Sequence, residues 1–153
     1  MNRKRKLASP VQPRSGPLPS DPHEIVFYKD SAGVLPAQEF IDSCPETIRA
    51  RIRETAITVA ASPPNRFSGG GKWEAMHGAM SGWFEIRIDG TPSRTHYRVY
   101  CLLDYEAAGA VKPYLVLVDG RKKPFRTTLA PSEYDKVKLL GGRYLSSKDR
   151  SIG

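Results

Sequence analysis

Cysteine is nearly missing from this chain. Cys44 and Cys101 are the only two, and neither has a metal-ligand partner at useful spacing. A disulfide framework and a zinc knuckle are therefore not expected; two reduced thiols of an intracellular, cytoplasmic protein are. No apolar run approaches the length of a membrane span. The basic residues at the N-terminus have no apolar stretch behind them, as a secretory signal would require. Acidic residues are the scarcer charge, 16 against 24 Lys and Arg, giving a formal charge of +8 and a pI near 9.7. That excess favours a polyanionic or acidic partner, or simply a soluble basic protein; it specifies no fold. With 153 residues, the chain has room for one domain with a modest core.

Half of the excess charge, +4, lies in residues 1–22. This stretch holds Arg3, Lys4, Arg5, Lys6 and Arg14 among prolines at 10, 13, 17, 19 and 22, a composition too poor in apolar residues to order itself. It is expected to be a disordered, basic, Pro-rich tail, either an RNA-binding arm or a solvated extension. The domain is expected over 23–145, with a flexible tail over 146–153.

Glu24–Tyr28 reads as a first strand. Pro36 opens a helix with Val34, Leu35, Phe40 and Ile41 on its apolar side. Cys44-Pro45 interrupts that helix, and a second follows with Ile48, Ile52, Thr55, Ala56 and Val59 at helical spacing. The glycines at 69–71 are not followed by Gly-Lys-Ser/Thr, so a nucleotide P-loop is excluded and a hinge is expected. Lys72–Gly78 is a short extended piece or a single helical turn that feeds the hairpin, and its Trp73 and Met76 are expected in the core.

The most informative stretch runs from Trp83 to Phe125. Phe84, Ile86 and Ile88 alternate with Glu85, Arg87 and Asp89; after a turn at 90–93, Tyr97, Val99 and Cys101 alternate with His96, Arg98 and Tyr100. This is an antiparallel hairpin. If both apolar sets share a face, Arg87, His96, Arg98 and Tyr100 share the other, with Arg87 roughly opposite Arg98. Facing like charges destabilise a sheet. Such a pair can be there to hold an anion; a solvated sheet face is the alternative. Tyr114–Val118 reads as a strand buried on both faces, ended by Asp119-Gly120. Arg121, Lys122, Lys123 and Arg126 then crowd its end around Phe125, the composition of a single-stranded nucleic-acid site. Pro131 opens a last helix through Tyr134, Val137 and Leu140, ended by Gly141-Gly142. The expected class is α+β: a small antiparallel sheet made of a strand, two helices, a three-stranded antiparallel meander and a C-terminal helix.

Three segments in this order resemble one family. Gly82-Trp83-Phe84-Glu85-Ile86-Arg87, Tyr97-Arg98-Val99-Tyr100 and Leu115–Lys123 are similar to segments of the RelE/ParE toxin superfamily, in its HigB-like, phage-derived branch. The resemblance covers roughly residues 24–140. It implies a RelE-like fold and the toxin of a type II toxin–antitoxin system, a ribosome-dependent endoribonuclease that inhibits translation by cutting messenger RNA. It also implies a cognate antitoxin, encoded adjacently, as partner. ParE-like relatives poison DNA gyrase instead, and a non-catalytic nucleic-acid- or protein-binding module is a further alternative.

By this resemblance Arg87, Arg98 and Lys122 or Lys123 match positions of basic catalytic residues. Arg121, Phe125, Arg126 and His77 are the accompanying RNA-binding candidates. RNA cleavage can use the substrate's own 2′-hydroxyl, so no metal or cofactor is expected; cations around the phosphate and a proton acceptor and donor are. Thr128 stands near the place of the tyrosine that the RelE pattern carries there, which leaves His96 and His77 as candidates for proton transfer.

Overall fold

In the computed structural model the described residues are 16–62, 71–90 and 94–153. Most of the expected N-terminal tail, and the glycines at 69 and 70, lie outside them. The elements in chain order are β1 (Glu24–Phe27), α1 (Pro36–Ser43), α2 (Glu46–Ala61), β2 (Trp73–Ala75), a 3-10 turn at Gly78–Met80, β3 (Phe84–Gly90), β4 (Thr95–Asp104), β5 (Tyr114–Pro124) and α3 (Pro131–Ser146). The class is α+β, but the sheet is mixed and five-stranded, in the order β1-β5-β4-β3-β2. β1 runs parallel to β5, and β2 adds to β3 as an antiparallel edge. The expected antiparallel sheet is corrected on both counts. A four-residue and a three-residue edge strand leave little periodicity from which direction or pairing could be read.

Local sequence explains most of the elements. Asp30 Oδ1 accepts from the backbone N–H of Ala32 and Val34, at 2.9 and 2.8 Å, and turns the chain out of β1. Pro36 starts α1, and Pro45 stands at the N-cap of α2. α1 and α2 cover one face of the sheet. There Ala37, Ile41, Ile48, Ile52 and Val59 meet Ile86, Ile88, Tyr97, Val99, Leu115 and Leu117.

α3 covers the other face, but only half of it. Val137 and Tyr144 pack on Tyr100, Leu102, Val116 and Val118. This helix does not stop at Gly141-Gly142, as its glycines led us to expect; it runs on to Ser146. The reason is contact. The Trp83 indole lies so close that a Cβ built on Gly141 would stand 2.3 Å from its Cζ2. Gly141 lets the helix approach the ring and is not a stop signal.

β5 also outruns its expected end at Asp119-Gly120 and continues to Pro124, paired along its length with the ten-residue β4. The register slips by one residue between Tyr100 and Cys101: Tyr100 pairs with Asp119, whereas Cys101 pairs with Leu117. Val118 is the extra residue of a β-bulge. Before it the even-numbered residues of β5 face α3; after it the odd-numbered residues do.

The C-terminal segment, expected to be flexible, is docked. Asp104 is 4% exposed and accepts from Tyr144 Oη at 2.7 Å and from Arg150 Nε at 2.9 Å. Ile152 forms an antiparallel bridge with Tyr28, and Gly153 N donates to Phe27 O at 3.0 Å. The free edge of β1 is thereby covered.

Candidate functional site

Because α3 covers only half of its face, the ends of β3, β4 and β5 stand uncovered there. Cross-strand register puts three rows of side chains on this face: Glu85–Tyr100–Asp119, whose Tyr100 and Asp119 are buried at the margin of α3, then Arg87–Arg98–Arg121 and Asp89–His96–Lys123 towards the open end. The pairing of Arg87 with Arg98 is the one anticipated from alternation, and Arg121 extends it to three arginines abreast. What makes that row tolerable is interleaved carboxylate. Arg87 meets Glu74 at 3.1 Å and Glu85 at 3.5 Å; Arg98 meets Glu85 at 3.3 Å and Asp89 at 3.1 Å. Arg121 meets Asp119 at 2.7 Å and Glu133 of α3 at 2.9 Å.

These contacts sort the predicted residues. Arg87, Arg98, Lys123 and His77 line one open cavity of about 290 Å³ together with Glu74, Glu85, Met76 and Tyr134. Arg98 is only 3% exposed and forms the cavity floor. Arg87 is half-buried and stands at the wall; its Nε is buried and faces Glu85 Oε1 at 3.5 Å, an ion pair without a hydrogen bond. Arg121 is held by Asp119 and Glu133 and does not line the cavity.

Lys122 is a correction. It pairs with Tyr97, whose side chain belongs to the α1/α2 core, and its charge acts on the Cys44 thiol, so it lies on the opposite face from Arg98. The bulge at Val118 decides this phase, and an unalternating apolar run hides it in the sequence. His96 stands beside the cavity. Its Nδ1 is 2.6 Å from Asp89 Oδ1, and its ring stacks on Phe125 with centroids 4.5 Å apart. Arg126 is exposed just beyond the strand end.

The electrostatics are not those of a bare cationic cleft. Burial pushes the Glu85 carboxyl above the ordinary range, and Arg98, Arg87 and Lys123 only partly reverse that. Burial also lowers Lys123, and the neighbouring charges of Arg98 and Arg87 add to the shift while Glu85 and Asp89 oppose it. For Asp89 burial pushes upward, but the hydrogen bonds from His96 and Arg98 prevail and hold its carboxyl low. Here a carboxyl with raised affinity for its proton and an ammonium with lowered affinity face the same cavity. This is the arrangement of a proton acceptor and a proton donor.

Comparison with models of protein families, with curated proteins and with solved structures finds no match for this chain. The site must therefore be read from its own residues. Four of them escaped the sequence reading: Glu74, Glu85, Asp89 and Tyr134. A signal for two was present, since Glu85 and Asp89 alternate with Arg87 on one strand face. For Glu74 and Tyr134 there was none, because β2 and α3 reach the site only through tertiary packing. Among the described residues, no helix is long and apolar enough to cross a membrane.

Proposed function

We propose that this chain is an RNA-cleaving toxin with a RelE-like fold, that it cuts messenger RNA in the translating ribosome, and that an antitoxin protein holds it in check. The observation that carries the reading is the convergence of Glu85, Lys123 and Arg87 at one open cavity. The three sequence segments that resemble the superfamily supply the strands on which these residues stand.

In this reading the Glu85 carboxylate takes the proton of a ribose 2′-hydroxyl. That oxygen bonds to the adjacent phosphorus, the bond from phosphorus to the 5′-oxygen breaks, and the Lys123 ammonium gives its proton to the departing oxygen. The products are a 2′,3′-cyclic phosphate and a 5′-hydroxyl, and water returns the two proton carriers to their starting states. Arg87 meets the phosphate oxygens, where its fork suits the developing charge. Arg98, beneath the floor, is a positioning residue that holds Glu85. A proton acceptor tuned upward by burial works better near neutral pH than an ordinary carboxylate.

Purified protein added to a translating extract, with mapping of messenger ends and of their chemistry, tests the proposal. The wild type should leave 2′,3′-cyclic phosphate ends. Glu85→Gln should cut slower by roughly 10²- to 10⁴-fold, as for loss of a general base. Arg87→Ala should cut slower by roughly 10²- to 10³-fold. Messenger left intact by the wild type overturns the reading.

A further inference from the structure

Next to the cavity, the end of the β3–β5 face carries a second construction that the cleavage chemistry does not use. His96 and Phe125 stack with an interplanar angle of 21°, and the Arg94 guanidinium lies 5.8 Å from the Phe125 ring centroid. Both rings are half-buried at an open strand end, so each keeps contact with solvent. Asp89 fixes His96 by its edge at 2.6 Å, and Phe125 N donates to Arg94 O at 3.0 Å, so the stack is held before any ligand arrives. Arg94 and Arg126, at φ 53° and 64°, are the two non-glycine residues in left-handed backbone among those described. Side-chain-bearing residues avoid that conformation, and both instances bracket the same aromatic ring.

We propose that the His96–Phe125 stack, bracketed by Arg94 and Arg126, is a seat for one unpaired nucleobase of a single-stranded RNA. This deepens the reading of the cavity as an RNA site and rests on it. Unpaired bases are recognised by stacking on aromatic rings and on guanidinium planes, with cations alongside for the phosphates. His96 lies two residues along β4 from Arg98, about 6.6 Å on the same face, and its cross-strand neighbour is Lys123. A base seated on the stack would therefore carry its phosphate towards the cavity. A ring pair already in place loses little freedom when the base arrives.

The test uses the full chain and a short single-stranded RNA with every ribose 2′-O-methylated, so that it cannot be cut. It carries 2-aminopurine at one position, moved along the oligomer in turn. At one position binding should quench the emission, because the base stacks. Phe125→Leu, which keeps apolar volume but removes the ring, should abolish the quenching and weaken binding roughly 5- to 150-fold, the range for loss of one stacked base. Phe125→Trp should restore both.

Equal quenching and equal affinity in Phe125→Leu overturn the seat, as does an oligomer that fails to bind or is not quenched at any position. Messenger cleavage is scored separately in the extract. Cleavage with no effect of Phe125→Leu on quenching sinks the seat and leaves the enzyme reading intact. Quenching lost in Phe125→Leu, with messenger uncut by the wild type, supports the base seat and sinks the cleavage.

Discussion

Removing Arg98 should cost the protein its stability before it tells anything about activity. Arg98 is 3% exposed and is shared between Glu85 and Asp89, whose side chains are 16% and 54% exposed. Arg98→Ala leaves Glu85 buried without its closest cation, while Asp89 turns to water. Breaking a buried pair from one side costs about 3–5 kcal/mol, and the half-exposed Asp89 places this case near the lower end. At roughly 2–4 °C per kcal/mol for a chain of this length, a loss of about 3 kcal/mol lowers Tm by about 6–12 °C. Arg87→Ala is the control. Its ion pair with Glu74 joins side chains 37% and 49% exposed, and such surface pairs are worth about 0–1 kcal/mol; its longer contact with Glu85, at 3.5 Å, is lost too, but Glu85 then keeps the nearer Arg98.

Thermal melts followed by circular dichroism should therefore separate the two variants clearly. The cost of Arg98→Ala should also shrink as pH falls from 7 to 5. Burial already raises the folded pKa of Glu85, and the loss of Arg98 raises it further. A carboxyl that binds its proton more tightly in the fold than in the unfolded chain stabilises the fold as pH falls. An Arg98→Ala variant that melts within 2 °C of the wild type would refute the argument (about 2 °C being less than 1 kcal/mol at this size). It would also make Arg98 a residue that can leave its partners to meet substrate.

Three further outcomes are expected. Gly141→Ala should destabilise by about 1–3 kcal/mol by overpacking against the Trp83 indole, more than the roughly 1 kcal/mol of helix propensity it gains; a raised urea midpoint would contradict this. Truncation after Ser146 should lower Tm measurably, since it removes the Arg150 partner of buried Asp104 and uncovers the β1 edge; an unchanged Tm would mean that the docked segment contributes nothing. Burial lowers the pKa of His23 from its ordinary 6.5, against the opposing pull of the Asp21 carbonyl and carboxylate. The unfolded chain thus binds this proton more readily, so the stabilisation is complete above about pH 6.5 and is lost as pH falls through the folded value; His23→Gln should flatten urea midpoints measured between pH 7.5 and 5.

Much of the fold was legible where the chain follows a period. β3 and β4 alternate, their polar and apolar sets occupy the faces that alternation assigns, and Arg87 stands opposite Arg98. Pro36, Pro45 and Pro131 mark helix starts. The misreadings share one cause, that a local signal was overruled by a distant contact. The helix α3 passes through Gly141 because Trp83 needs the space, β5 passes Gly120 because β4 is there to pair with it, and residues 150–153 are ordered by Asp104 and Tyr28. The site was legible in its cations and nearly silent in its carboxylates. Charge excess draws attention to Arg and Lys, whereas Glu74 and Glu85 matter because burial and proximity alter them.

The bulge at Val118 has a consequence for comparing this chain with any other. It sets which of the two adjacent lysines reaches the cavity, since every residue of β5 beyond it is turned to the other face. A related chain without that one extra residue would present its cation one place earlier, and an alignment by column would pair a cavity lysine with one that faces α1 and α2. Homologous positions here are defined by strand phase: loss of a single codon at 118 would remove the bulge and restore regular alternation, with Lys123 still opposite His96 and Lys122 still opposite Tyr97 although each stands one place earlier in the chain.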